Sequence, residues 1–157
     1  MSVAFRRDVD EEHLEPRPEL PIPPGPNLVT ERGLTLIVDR IARLEADLEA
    51  AAGNEEETKA VERDLRYWRA RRSTAQVTVF PGGDTVRFGA RVRYADADGH
   101  EHVIEIVGAD EADPAQGRIA FTAPLARALI GAGEGDMIDF AGKPDAIEIL
   151  DVGPLSD

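Results

Sequence analysis

The chain has 157 residues, with 18 basic against 31 acidic side chains and a formal net charge of −13 at pH 7. Such an excess of carboxylates repels a phosphate backbone, which excludes autonomous DNA binding, and the two lysines, Lys59 and Lys143, leave little from which to build a phosphate cradle. The absence of cysteine removes disulfides, thiolate zinc sites and thiol nucleophiles, and no apolar run approaches the roughly 20 residues of a membrane span, so a cytoplasmic protein with no membrane partner is expected.

Residues 1–29 hold six of the 11 prolines, together with three arginines and six acids. Proline fixes φ and removes a backbone donor, so an extended, mobile leader without helix or ladder is expected. Phe5, Leu20 and Ile22 are the apolar residues it could dock.

Residues 30–77 change character. Thr30 can cap a helix, with Gly33 a small cost inside its first turn. Leu34, Ile37, Ile41, Leu44, Leu48 and Ala51 then recur at heptad spacing. Gly53-Asn54 reverses the chain, and a second seam follows in Thr58, Val61, Leu65, Trp68, Arg72 and Ala75. Folding back at the 54–55 junction pairs Leu48 with Val61, Leu44 with Leu65 and Ile41 with Trp68. Two such arms make an antiparallel coiled-coil rod on the order of 30 Å long. A lone two-helix hairpin buries little, so its base must lean on something else.

Residues 78–153 read as short strands around one helix, with residues 154–157 left as a tail. Phe88, Ala90, Val92 and Tyr94 alternate with polar or small residues, and Asp98-Gly99 is a two-residue hairpin signal before Val103–Val107. Ile119 and Phe121 mark a third strand, 137–140 a fourth and 146–152 a fifth. Pro124 suits the first position of a short helix and Gly131 its stop. The expected class is α+β: an N-terminal helical hairpin followed by an antiparallel sheet domain with one short helix.

Charge divides unevenly along the hairpin. Residues 45–64, around the turn, carry eight acids and two bases, whereas residues 65–77 carry Arg66, Arg69, Arg71 and Arg72 and no acid. The hairpin is therefore a polar rod with an acidic tip and a basic base.

Several motifs suggest chemistry. Asp110-Glu111-Ala112-Asp113 spells a helicase signature, but no Gly-x4-Gly-Lys-Ser/Thr loop accompanies it, and a polar loop is expected. Asp96-Ala-Asp98-Gly99 resembles the first half of a calcium loop whose later ligands are missing, which leaves a turn. His100 and His102, two apart on one strand face, could supply two metal ligands, with no third in view and surface imidazoles as the plainer reading. Glu55, Glu56 and Glu57 at the hairpin turn could help hold a hard cation that a partner site holds incompletely, or be a solvated loop that favours the dipole of the second arm.

The stretch Ile106–Ile119, then Ala123–Gly131, then Glu134-Gly-Asp136, is similar to the C-terminal domain of the bacterial Gre transcript-cleavage factors. Val29–Leu34 and Ala75–Val77 also look like that family, and the Met1-Ser-x-Ala-Phe5 start with its Pro-rich leader looks like the GreB-like branch. The resemblance implies a coiled coil followed by an FKBP-like domain. It also implies binding to RNA polymerase at the mouth of the secondary channel, with the coiled-coil tip turned toward the active site. There, tip acids would help hold the polymerase's second magnesium. The factor would be no enzyme itself and would carry no cofactor of its own. The polymerase contact maps onto Ala120, Phe121, Thr122, Ala123, Pro124 and Leu125. Arg66, Arg69 and Arg72 would lie near transcript RNA inside the complex. Pro124 matches the family pattern, whereas Ala120 and Thr122 replace polar or acidic residues.

The family's tip motif, Gly-Asp-Leu-x-Glu-Asn-Ala-Glu-Tyr, is absent, and Gly53–Glu57 only echoes it. The arms look shorter by roughly ten residues each, on the order of 15 Å of reach. Polymerase binding by a monomer that modulates elongation without cleavage is therefore expected, with active cleavage through Glu55–Glu57 as the alternative. Two readings from other classes are a prolyl isomerase, which the FKBP-like fold would suggest, and an adaptor that dimerises through the hairpin.

Overall fold

The computed structural model describes residues 18–156. Phe5, the Met1–Phe5 start and Asp157 lie outside the described residues. Helix α1 (Glu31–Ala50) and helix α2 (Glu55–Thr74) form the hairpin, each 20 residues long. Side chains hold both starts: Thr30 Oγ1 accepts from Gly33 N–H at 2.9 Å, and Asn54 Oδ1 accepts from Glu57 N–H at 3.1 Å. Glu55, Glu56 and Glu57 fill the first turn of α2 and Arg71 and Arg72 its last, both signs matching the helix dipole. Gly53, at φ +91°, takes the left-handed position that closes the reversal.

Ile37, Ile41, Leu44 and Leu65 are buried along the seam, with Leu34, Leu48, Val61, Trp68 and Ala75 packed beside them. The expected seam departs from this at one place. Arg71 is buried at 3% exposure while Arg72 is exposed. The base of α2 meets two neighbours, α1 on one side and the sheet domain on the other, and residue 71 faces the second.

The hairpin base is fastened by strand β1 (Asn27–Val29) and strand β2 (Ala75–Val77), which pair in parallel, Asn27 with Ala75 through Val29 with Val77. This corrects the expectation that residues 1–29 form no ladder. The last proline of that segment is Pro26, so the chain regains its donors in time to pair.

The remaining strands are β3 (Ala90–Asp96), β4 (Glu101–Val107), β5 (Arg118–Ala120), β6 (Met137–Phe140) and β7 (Lys143–Pro154). They form one sheet in the order β5-β4-β3-β7-β6. All neighbours are antiparallel except β4 and β5, which pair in parallel. The crossing from β4 to β5 passes through the 110–113 loop and a single 3-10 turn at Pro114–Gln116. Helix α3 (Pro124–Leu129) starts with proline at its first turn. It delivers Ala126 and Leu129 to a core of Val86, Ala90, Val92, Ile104, Ile106, Ile147, Ile149 and Val152. The class is thus α+β, with two long helices and a mostly antiparallel sheet.

Asp98-Gly99 does not form a two-residue turn. Asp96 N–H bonds to His100 O at 2.9 Å, leaving residues 97–99 as a three-residue loop with Gly99 at φ +84°. Among the described residues, no helix is long and apolar enough to cross a membrane.

Candidate functional site

Glu55, Glu56 and Glu57 are exposed at the far end of the rod. Consecutive helical residues are separated by about 100° around the axis, so these three carboxylates fan outward instead of converging. Lys59 Nζ lies 3.3 Å from Glu55 Oε1, an exposed pair of small energetic weight.

The arginines near the base take separate roles. Arg66 Nε pairs with Glu19 of the leader at 2.6 Å, and Arg69 Nη2 pairs with Glu45 across the hairpin at 3.2 Å. Arg72 is exposed and makes no ion pair among the described residues. Arg71 is withdrawn from solvent, so the basic surface at the base is smaller than the sequence count suggests.

Arg71 belongs to a clasp between hairpin and sheet domain. Its Nε donates to Asp110 Oδ2 at 2.6 Å and its Nη2 to Asn27 Oδ1 at 2.7 Å. Asn27 Nδ2 in turn donates to the Arg71 carbonyl at 2.8 Å. Tyr67, one helical turn before Arg71, donates its hydroxyl to Asp110 Oδ1 at 2.5 Å. Burial, then the bond to the Asp110 carboxylate, push the Tyr67 hydroxyl up to about 12. Beside this group, Thr30 Oγ1 donates to Glu111 Oε1 at 2.5 Å while it caps α1. Glu111 is only 6% exposed.

Two glycines permit the approach. A Cβ on Gly108 would lie 2.5 Å from the Leu28 carbonyl oxygen, and one on Gly33 would lie 2.9 Å from Glu111 Oε1. The expected polar loop at 110–113 is therefore an interdomain joint. The acids of the loop and the lone polar Asn27 after the prolines were visible in the sequence, but their mutual partners were not.

Ala120 to Leu125 run from the end of β5 into α3. Phe121 is half-buried and meets Phe88 edge-on, with ring centroids 5.4 Å apart. Leu125 also turns toward the core. Thr122 and Pro124 are the exposed members. Ala123 N–H bonds to Ala120 O at 2.9 Å, which fixes the turn between them.

A second polar cluster sits at the β3–β4 loop. Asp96 Oδ1 accepts from the N–H groups of Asp98 and His100, each at 2.9 Å, while Oδ2 lies 2.8 Å from His102 Nε2. The bond with His102, with smaller help from the two backbone donors and His100, holds the Asp96 carboxyl below its usual value despite some desolvation. His102 stacks on Tyr94 at 5.0 Å. His100 closes the loop one residue before β4 begins, and Asp96 is the third group beside the two histidines that the sequence spacing left out.

Residues 81–154 match the family model described as "Transcription elongation factor, GreA/GreB, C-term". Two curated relatives, both named "Transcription elongation factor GreA", are 53% identical to the chain. The one from Hyphomonas neptunium aligns over 66 residues, 41% of this chain and 42% of its own. The one from Brucella anthropi aligns over 58 residues, 36% of this chain and 37% of its own. The chain thus matches about two fifths of the length of these relatives. Among solved structures, the GreA factor homolog 1 (Gfh1) protein of Thermus thermophilus is 15% identical, covering 82% of this chain and 99% of its own with a TM-score of 0.39. The GreA/GreB elongation factor from Nitrosomonas europaea is 23% identical, covering 80% of this chain and 98% of its own, also at 0.39.

Proposed function

We propose that this chain is a Gre-family transcription elongation factor that binds RNA polymerase at the mouth of its secondary channel and modulates elongation without cutting the transcript. The observation that carries the reading is the family match over residues 81–154, the domain to which the clasp fastens the helical hairpin. Docking would use the Ala120–Leu125 turn, where Thr122 and Pro124 are exposed. The clasp would hold the rod at a set angle to that surface.

The same reading covers the finer points. The hairpin is a shortened coiled coil: its 20-residue arms reach about 30 Å. Its acids fan apart at the tip, so any magnesium they touched would be the polymerase's, held mainly by polymerase ligands. The factor acts as a monomer, and it meets transcript RNA only inside the complex, near Arg72. The GreB-like branch assignment rests on the Met1–Phe5 start.

The test uses the whole chain with core RNA polymerase. A mobility shift on native gels is expected, together with unshortened RNA in backtracked complexes and inhibition of cleavage by a full-length Gre factor. No shift at saturating protein sinks the proposal. Shortened RNA that disappears in a Glu55→Ala, Glu56→Ala, Glu57→Ala variant would establish the cleaving version instead.

A further inference from the structure

We propose that the β3–β4 loop is a binding site for a zinc-class transition metal ion, with Asp96, Asp98, His100 and His102 as its ligands. One donor atom from each of Asp96, Asp98 and His100 lies within 4.8 Å of the other two. His102 approaches the same carboxylate oxygen from the neighbouring strand position, at 2.8 Å, while His100 Nδ1 stands 3.8 Å from it. A tetrahedral zinc ion with bonds of 2.0–2.2 Å keeps its donors about 3.4 Å apart. The two observed separations bracket that edge, and the Asp98 donor, within 4.8 Å of those of Asp96 and His100, and the two imidazoles would swing inward to seat an ion.

The loop is built to hold these donors. Asp96 Oδ1 is spent on the turn, accepting from the backbone of Asp98 and His100, which leaves Oδ2 directed at the imidazoles. Stacking on Tyr94 limits rotation of the His102 ring. Arg93, the nearby cation of β3, is paired with Glu101 at 2.7 Å and does not compete for the Asp96 carboxylate. The site is open, because the His100 side chain is 77% exposed.

Donor chemistry selects the ion. Two imidazole nitrogens with carboxylate oxygens suit zinc, nickel or cobalt, whereas calcium and magnesium require a larger, all-oxygen shell. The partial calcium-loop pattern of Asp96-Ala-Asp98-Gly99 thus serves a different class of ion, completed by the two histidines that follow.

The test is calorimetric titration of zinc chloride into the full chain, paired with imidazole NMR. A saturable event with one ion per chain is expected, shifting the ring resonances of His100 and His102 but not those of His13. Replacing both His100 and His102 with alanine should weaken binding by about tenfold or more. His100→Ala alone should do so in part, and its exposed position leaves the fold intact, as a thermal melt will verify. Magnesium chloride should shift neither ring. The proposal is overturned by the absence of saturable heat, by undiminished zinc binding in the double variant, or by magnesium acting on the same rings.

Discussion

Arg71 Nε and Asp110 Oδ2 stand 2.6 Å apart with side chains only 4% and 9% exposed, so the main link between the helical hairpin and the sheet domain is a buried ion pair. Taking both charges out of water is costly, and the extra bonds from Tyr67 to Asp110 and from Arg71 to Asn27 offset that cost. Asp110→Ala strands a buried guanidinium and should cost about 3–5 kcal/mol. Replacing the pair together, Arg71→Met with Asp110→Leu, should cost clearly less. Urea midpoints of Arg71→Met, Asp110→Leu and the double variant check this. A double variant that loses the sum of the two single losses would mean that the pairing itself matters little.

Tyr67 gives the joint an alkaline limit. Its hydroxyl titrates near 12 in the folded chain against an ordinary value of about 10, so the fold prefers the protonated phenol. The associated stability is fully present below pH 10 and is lost as pH rises toward 12. Tyr67→Phe should lower stability at neutral pH by about 1 kcal/mol, since the half-exposed donor is partly replaced by water, and should flatten the alkaline decline. Urea midpoints against pH, with tyrosinate absorbance followed in a Tyr94→Phe background, separate the two tyrosines. An unchanged alkaline slope in Tyr67→Phe would contradict the assignment.

Gly33 offers a test in which the sign is the result. Alanine inside an ordinary helix is better than glycine by about 1 kcal/mol. Here the new methyl would press on Glu111 Oε1 at 2.9 Å and on Thr30 Oγ1 at 3.3 Å, disturbing both the joint and the cap. Gly33→Ala should therefore destabilise the parent chain. In a Glu111→Ala background the penalty should shrink by more than about 0.5 kcal/mol. Thermal melts of the four-member cycle measure the difference, and additive effects would show that the two positions do not touch.

The helical seam was readable because apolar residues at heptad spacing have one way to hide: Ile37, Ile41, Leu44 and Leu65 are buried where the periodicity puts them. The alternation from Phe88 to Tyr94 was readable for the same reason, and so was Pro124 at a helix start. The joint was not. Asn27, Tyr67, Arg71, Asp110 and Glu111 are polar residues spread over more than half the chain, and no local period connects them. Their spacing within α2, Tyr67 to Arg71, is one helical turn, but four arginines in seven residues hid which one was turned inward. Asp96 was missed beside His100 and His102 because a calcium template drew attention to its oxygen and away from the imidazoles.

The Ala120–Leu125 turn, the proposed docking surface, allows a test that separates docking from folding. Pro124 and Thr122 are exposed, whereas Phe121 is packed on Phe88. Thr122→Arg should weaken polymerase binding with the melting temperature unchanged, whereas Phe121→Ala should reduce both, costing about 3 kcal/mol or more of stability. Affinity for core polymerase and thermal melts on the same preparations provide the check. Full affinity in Thr122→Arg would move the docking surface elsewhere.

The parallel pairing of β1 with β2 sets the entrance and the exit of the helical excursion side by side, Asn27 next to Ala75. Everything between is a cassette: material can be inserted or removed at the 51–54 reversal in matched units while the anchoring residues keep their places. Taking seven residues from each arm would withdraw the tip by about 10 Å and leave the joint's geometry unaltered. Reach and attachment are thus independently adjustable, and changes in one need not be compensated in the other.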